Sequence, residues 1–232
     1  MATINATTAQ GGYLQQSRGT LFATWEDTLY SFGTATSIDS NATYTYTYAE
    51  YFPSFRSPLW RSRRSYLVFN TSAITGTLTN ISLNIFVHLV DASDFIPDMI
   101  VEVVNAPTLA TALTTSDWAP YSWGAATTAT TLGSNAWQTL TLNSMGLSMA
   151  ETNNEITLWL RDAYYDYDYY TNFTDPPGVG YIQYRHNYAS FIPYLDYTMV
   201  TGYGQIVNGI IPASIGNVDG IAKASISKVL GV

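Results

Sequence analysis

The segment LTNISLNIFVHLV (78–90) alternates its side chains with a period of two. Ile81, Leu83, Ile85, Val87 and Leu89 share one parity, and Ser82, Asn84, Phe86, His88 and Val90 share the other. A helix brings its apolar positions back after three and four residues, so this spacing predicts a long β-strand with Ile81–Leu89 on a core. Shorter runs of the same kind recur at 21–25, 44–48, 66–69, 99–104, 137–142, 156–161, 181–184 and 194–199, between turn-forming clusters. No amphipathic helix of convincing length interrupts them. The 31 Thr and 19 Tyr fit this reading, because both residue types suit a pleated, half-buried surface. Strands with long connections and no alternation with helices predict an all-β chain, a jelly-roll β-sandwich over residues 20–200. Residues 1–19, polar and without a period, are expected to form an N-terminal arm, and residues 201–232 a separate C-terminal tail.

Composition removes several function classes. There is no Cys, so thiol catalysis, thiolate metal sites and disulfides are excluded. A net charge of −8 opposes nucleic-acid binding, which relies on a basic surface to displace counterions. The N-terminal stretch lacks the basic-then-apolar pattern of a secretory signal, and no run has the length of a membrane-spanning helix; no membrane partner is expected. Four of the seven Arg (Arg56, Arg61, Arg63, Arg64) lie in FRSPLWRSRR. In so acidic a chain they read as a loop and strand edge kept soluble by charge, ahead of an anion or glycan contact.

Catalytic signals are weak. His88 and His186 have no Ser or carboxylate partner at a motif spacing, and no pair among the 17 acids is singled out as a glycosidase pair. No enzymatic activity and no cofactor are therefore expected. The most function-like stretch is RDAYYDYDYYTNFTDPPGVG (161–180). Its Tyr165, Tyr167 and Tyr169 alternate with Asp166 and Asp168, giving aromatic faces beside hydrogen-bonding carboxylates, as a surface glycan requires. Asp166 and Asp168 could equally give oxygens to a structural calcium. Packing of the same Tyr-rich loop on a sister subunit is the favoured alternative, since Tyr is enriched at interfaces.

The C-terminus carries an 11-residue repeat: QIVNGIIPASI (205–215), GNVDGIAKASI (216–226) and SKVLGV (227–232). Val207, Val218 and Val229 fall in register, as do Ile210 and Ile221, and Ile215 and Ile226. A unit this short cannot bury its apolar positions alone, so the tail predicts an assembly element that stacks on sister chains or a larger body. An 11-residue period also suits a helical supercoil, but Asn208-Gly209, Asp219-Gly220 and Pro212 favour short strand-and-turn units.

Two resemblances sharpen these expectations. RSYLVFNTSAITGTLTNISLNIFV (64–87), with Arg64, Leu67, Phe69, Ser72, Ile74, Ile81, Leu83 and Ile85, resembles the core of DNRLRE-type jelly-roll modules, which are carbohydrate-binding-module-like. NAWQTLTLNSMGLSMAETNNEITLWLRD (135–162) and FIPYLDYTMV (191–200) resemble that family's middle and closing strands, and Asn70 stands where the family has Asp. The repeat Val207–Ile215 is similar to C-terminal tails of phage virion proteins. Together they imply a homo-oligomeric virion structural protein, of capsid-decoration, head-fibre or tail-fibre type, with other virion proteins and sister subunits as partners. A carbohydrate-binding module without catalysis, in an extracellular setting, is the alternative.

Overall fold

A computed structural model of the chain describes residues 2–5, 11–18, 35, 37–39, 44–52, 59–91, 98–105, 108–118, 122–163, 166, 179–185, 190–200, 217–218 and 221–222. In chain order the elements are β1 (Ala2–Asn5), β2 (Gly11–Arg18), β3 (Ser37–Asp39), β4 (Tyr44–Phe52), β5 (Leu59–Asn70), β6 (Thr77–Asp91) and β7 (Asp98–Val104). A short 3-10 turn (Thr115–Trp118) precedes β8 (Ser122–Ala125), β9 (Thr130–Thr131), β10 (Ala136–Thr141), helix α1 (Ser144–Thr152) and β11 (Glu155–Asp162). The chain continues through β12 (Val179–Arg185), β13 (Tyr194–Val200), β14 (Asn217–Val218) and β15 (Ile221–Ala222). The strand expected at 21–25 lies outside the described residues.

The protein is an all-β antiparallel sandwich, as the alternation requires. Its first layer is built on the 15-residue β6, which pairs β10 along one edge from Ser82 to Val87. Along the other edge β6 pairs β12 and then β13, so these two strands lie end to end. The second layer runs β3–β2–β5–β11–β7, with β8 and β9 both pairing β7. β4 joins the layers, because Tyr48 pairs Tyr181 of β12 on one side and Arg63 of β5 on the other.

One core fills the space between the layers. Ile81, Leu83, Ile85 and Val87 of β6 meet Leu67 and Phe69 of β5, Val101 and Val103 of β7, and Ile156, Leu158 and Leu160 of β11. The β6 parity ends at a bulge. Gln183 pairs Leu89 but Tyr184 pairs Val87, so His88 is an extra residue. Inserting one residue reverses the faces beyond it. Leu89, expected on the core, is therefore 40% exposed, while Val90 packs inward instead.

One further expectation is corrected. Within the expected N-terminal arm, residues 2–5 and 11–18 are sheet strands, because β1 pairs β13 and β2 pairs β3 and β5. Leu14 is wholly buried. The polar composition of this segment hid the strands, whose pairing comes from tertiary contacts and not from alternation. Helix α1 agrees with the expectation that no long amphipathic helix interrupts the strands: it is only nine residues long and shows little amphipathic signal. Asn143 caps it by accepting from the Met145 and Gly146 N–H groups at 3.0 and 3.3 Å. A Cβ on Gly146 would sit 2.6 Å from Cβ of Leu142, so the helix approaches the strand end closely only because this residue is glycine. Ala150 then enters the core, and Glu151 accepts from the Leu78 N–H at the start of β6.

Candidate functional site

The second layer is buried on both faces, which is why RSYLVF, EITLWLRD and DMIVEVV read as nearly continuous apolar runs. Its outer face carries Leu14 of β2, Tyr66 of β5, Trp159 of β11 and Val104 of β7. Ala35, Leu113 and Trp118 cover them. Tyr66 and Trp159 are opposite one another in register and meet edge to face, with ring centroids 4.6 Å apart. The Tyr66 hydroxyl donates to the Asp117 carbonyl, fixing the covering loop. Burial, with the Asp117 charge second, raises the Tyr66 pKa well above that of a free phenol despite the neighbouring arginines, so the hydroxyl stays a donor.

Inside this second apolar cluster lie four charged groups. Arg64 from β5, Arg161 from β11 and Glu102 from β7 are at most 5% exposed, and Asp166, on the turn after β11, is fully buried. Arg64 donates from Nε and Nη2 to the Asp166 carboxylate at 2.8 and 2.7 Å. Arg161 donates to the same carboxylate from Nε and Nη2, both at 3.1 Å, and to the Asp166 carbonyl at 2.8 Å. Arg161 Nη1 reaches Glu102, and Arg64 Nη1 donates to the Trp118 carbonyl. Two cations and two anions close to net neutrality, the condition under which such groups survive burial.

Each charge feels the others. Burial alone would raise the Asp166 pKa, but the Arg161 and Arg64 charges and their hydrogen bonds outweigh it and hold the carboxyl at about 2. Burial likewise works against protonated Arg161, yet Asp166 and Glu102 keep it more firmly protonated than a free arginine. Arg64 also stacks 4.2 Å above the Trp118 ring. The arrangement is a brace: it ties three strands, the 3-10 turn and the start of the Tyr-rich segment at one point.

The expected glycan or calcium site is therefore altered. Asp166 is not an open ligand, because both arginines occupy its carboxylate. Tyr165, Tyr167, Tyr169 and Asp168 lie outside the described residues, as do His186 and Arg56. Among the described residues no three His, Asp or Glu side chains gather as metal ligands. The arginine-rich segment is also corrected, since Arg64 is an interior residue and not part of a soluble edge. A signal for this was present: an arginine inside an apolar strand, in a chain with only nine cations, calls for a buried carboxylate.

In the tail, Val218 pairs Ile221 and Asn217 pairs Ala222, antiparallel. The two residues between the paired positions in sequence are Asp219-Gly220, the pair that favours a two-residue hairpin. For these residues the strand-and-turn reading holds and the helical one does not. Val207, Ile210, Ile215, Ile226 and Val229 lie outside the described residues. Neither a protein-family model nor a curated protein matches the chain.

Proposed function

We propose that this chain is a non-catalytic structural protein of a bacterial-virus particle, multimeric through its C-terminal repeat and displaying the sandwich outward. The observation that carries the reading is the repeat itself. Apolar residues recur every 11 positions around Asn-Gly and Asp-Gly, and the described part of the second copy is a strand pair as small as a hairpin can be. A two-stranded unit of this size is marginal in water without a partner surface. Supporting it are the similarity of Val207–Ile215 to phage virion tails and the commitment of Asp166 and Glu102 to an internal brace.

The test uses the full chain and a variant carrying Val218→Asp and Ile221→Asp. Sedimentation or native mass spectrometry is expected to show a multimer for the first and a smaller species for the second, both with the same sandwich melting transition. A full chain that is monomeric at high concentration would remove the assembly role. The particle assignment has its own check: the protein should be found at many copies in density-purified virions of its source.

A further inference from the structure

The outer face of the first layer differs from every surface considered above, and strand register defines it. Directly paired residues of an antiparallel sheet project to the same side. Across β12/β13, β6 and β10 the rows read Asp196·Ser82·Thr141, then Tyr194·Asn84·Thr139, then Arg185·Phe86·Trp137. One row is therefore aromatic and cationic, and the two beside it are mainly hydroxyl, amide and carboxylate. Trp137 is 41% exposed, and after the His88 bulge Leu89 continues the same face at 40%. Two of the three large apolar side chains exposed among the described residues thus share one surface.

The aromatic row is held in place. Phe86 is mostly buried and supports Phe191 at 4.2 Å between centroids and Trp137 at 5.8 Å, edge to face. Tyr194 approaches Trp137 at 5.4 Å, and the Arg185 guanidinium lies 4.5 Å over the Phe191 ring. The polar rows are also fixed in advance. The Thr139 hydroxyl donates to Asn84 Oδ1 at 2.7 Å, and Ser82 donates to the Thr141 hydroxyl at 3.3 Å. Thr139 and Thr141 remain exposed with hydrogen-bonding capacity to spare.

We infer that this face binds a neutral hexopyranose chain, with Trp137 as the stacking platform and the exposed Thr139 and Thr141 hydroxyls as hydrogen-bonding partners, Thr139 held in place by buried Asn84. Three strands about 4.8 Å apart and three rows about 6.8 Å apart span roughly 10 by 14 Å, room for two or three sugar rings. A sugar also presents C–H groups on its faces and hydroxyls on its edges, so it meets the aromatic and polar rows with matching atoms. A dry protein contact would strand the hydroxyl rows unless the partner satisfied each of them.

The experiment is calorimetric titration of the full chain with gluco-, galacto- and manno-configured hexasaccharides, with tryptophan fluorescence read in parallel. At least one probe should bind at micromolar to millimolar Kd. Trp137→Ala should weaken binding at least tenfold and Thr139→Ala several-fold, with both variants keeping the wild-type circular dichroism and a melting transition within a few degrees of it. No binding by any probe at millimolar concentration would overturn the inference, as would binding that Trp137→Ala leaves unchanged. Dissociation of a multimer by Trp137→Ala, without glycan binding, would reassign the face to a second copy of the chain. Loss of the tail's assembly role would leave this outcome unaffected, because the two tests perturb different residues.

Discussion

The two layers of the sandwich bury their inner faces in one core, but their outer faces have opposite fates. The outer face of β5, β11 and β7 is sealed under loops and carries two arginines, two carboxylates and three large aromatics with almost no exposure. The outer face of β6, β10 and β12/β13 exposes Trp137, Leu89, Thr139 and Thr141 around the more buried Ser82, Asn84 and Phe86, and sets aromatics beside rows of hydroxyl, amide and carboxylate. Both are aromatic and polar, so composition does not separate them. Solvent does. Once covered, a charge must find its counter-charge inside, and the result is a brace. Left uncovered, the same mixture keeps unused valences that a ligand can take.

The largest expected effect lies on the sealed face. Asp166→Asn removes the anion shared by Arg64 and Arg161 and leaves two guanidinium groups against Glu102 alone. Breaking a buried pair from one side costs about 3–5 kcal/mol, and denaturant titration should show a loss of that order. A loss under about 1 kcal/mol would mean that water reaches the cluster, against the burial described here. Glu102→Gln should cost less, about 1.5–3 kcal/mol, because Arg161 keeps its contacts to Asp166 and the amide still offers an acceptor. Equal losses for the two variants would show that net charge, and not the sharing of Asp166, governs the brace.

Acid tests the same face differently. The Asp166 carboxyl is depressed in the folded chain to about 2 from 3.8, so folding favours its ionised form. Its contribution is fully present above about pH 4 and is lost as the pH falls through about 2. Stability of the wild-type chain should decline across that window, and Asp166→Asn should flatten the decline. An unchanged slope would show that other carboxylates dominate acid unfolding.

Part of this contrast is legible in the sequence. Alternation identifies β6, whereas the runs at 66–69, 99–104 and 156–161, expected as strands of the same alternating kind, are covered on both sides. What alternation could not deliver was the pairing of polar segments. GGYLQQSR became β2 only because β5 offers it an edge, and Ala2–Asn5 because β13 does. The bulge at His88 was equally hidden, since an inserted residue changes the face of Leu89 without changing the sequence pattern. At the site, Asp166 was singled out for its tyrosine neighbours. Its actual partners are 102 and 5 residues away in sequence, and nothing local names the first of them. At Asn70, where the resembled family has Asp, the side chain accepts from the Ser72 N–H and hydroxyl at 2.9 and 2.6 Å, a local turn contact that an Asp would also make.

The smallest expected effect falls on the open face, and it sharpens the comparison most. Trp137 is larger than any residue of the brace, yet it is 41% exposed and sits on edge strand β10. Truncation to Ala removes ring contacts to Phe86 and Tyr194 but opens no cavity, because the side chain already borders solvent. The core penalty of about 3–5 kcal/mol for Trp→Ala therefore does not apply, and the loss should stay near 1 kcal/mol. Denaturant midpoints for Trp137→Ala and for Trp159→Ala, whose ring is 1% exposed, measure the difference directly. Trp159→Ala should lose several-fold more stability than Trp137→Ala. Similar losses would mean that the aromatic row is a structural element of the first layer, and the reason to regard that face as free for a ligand would go with it.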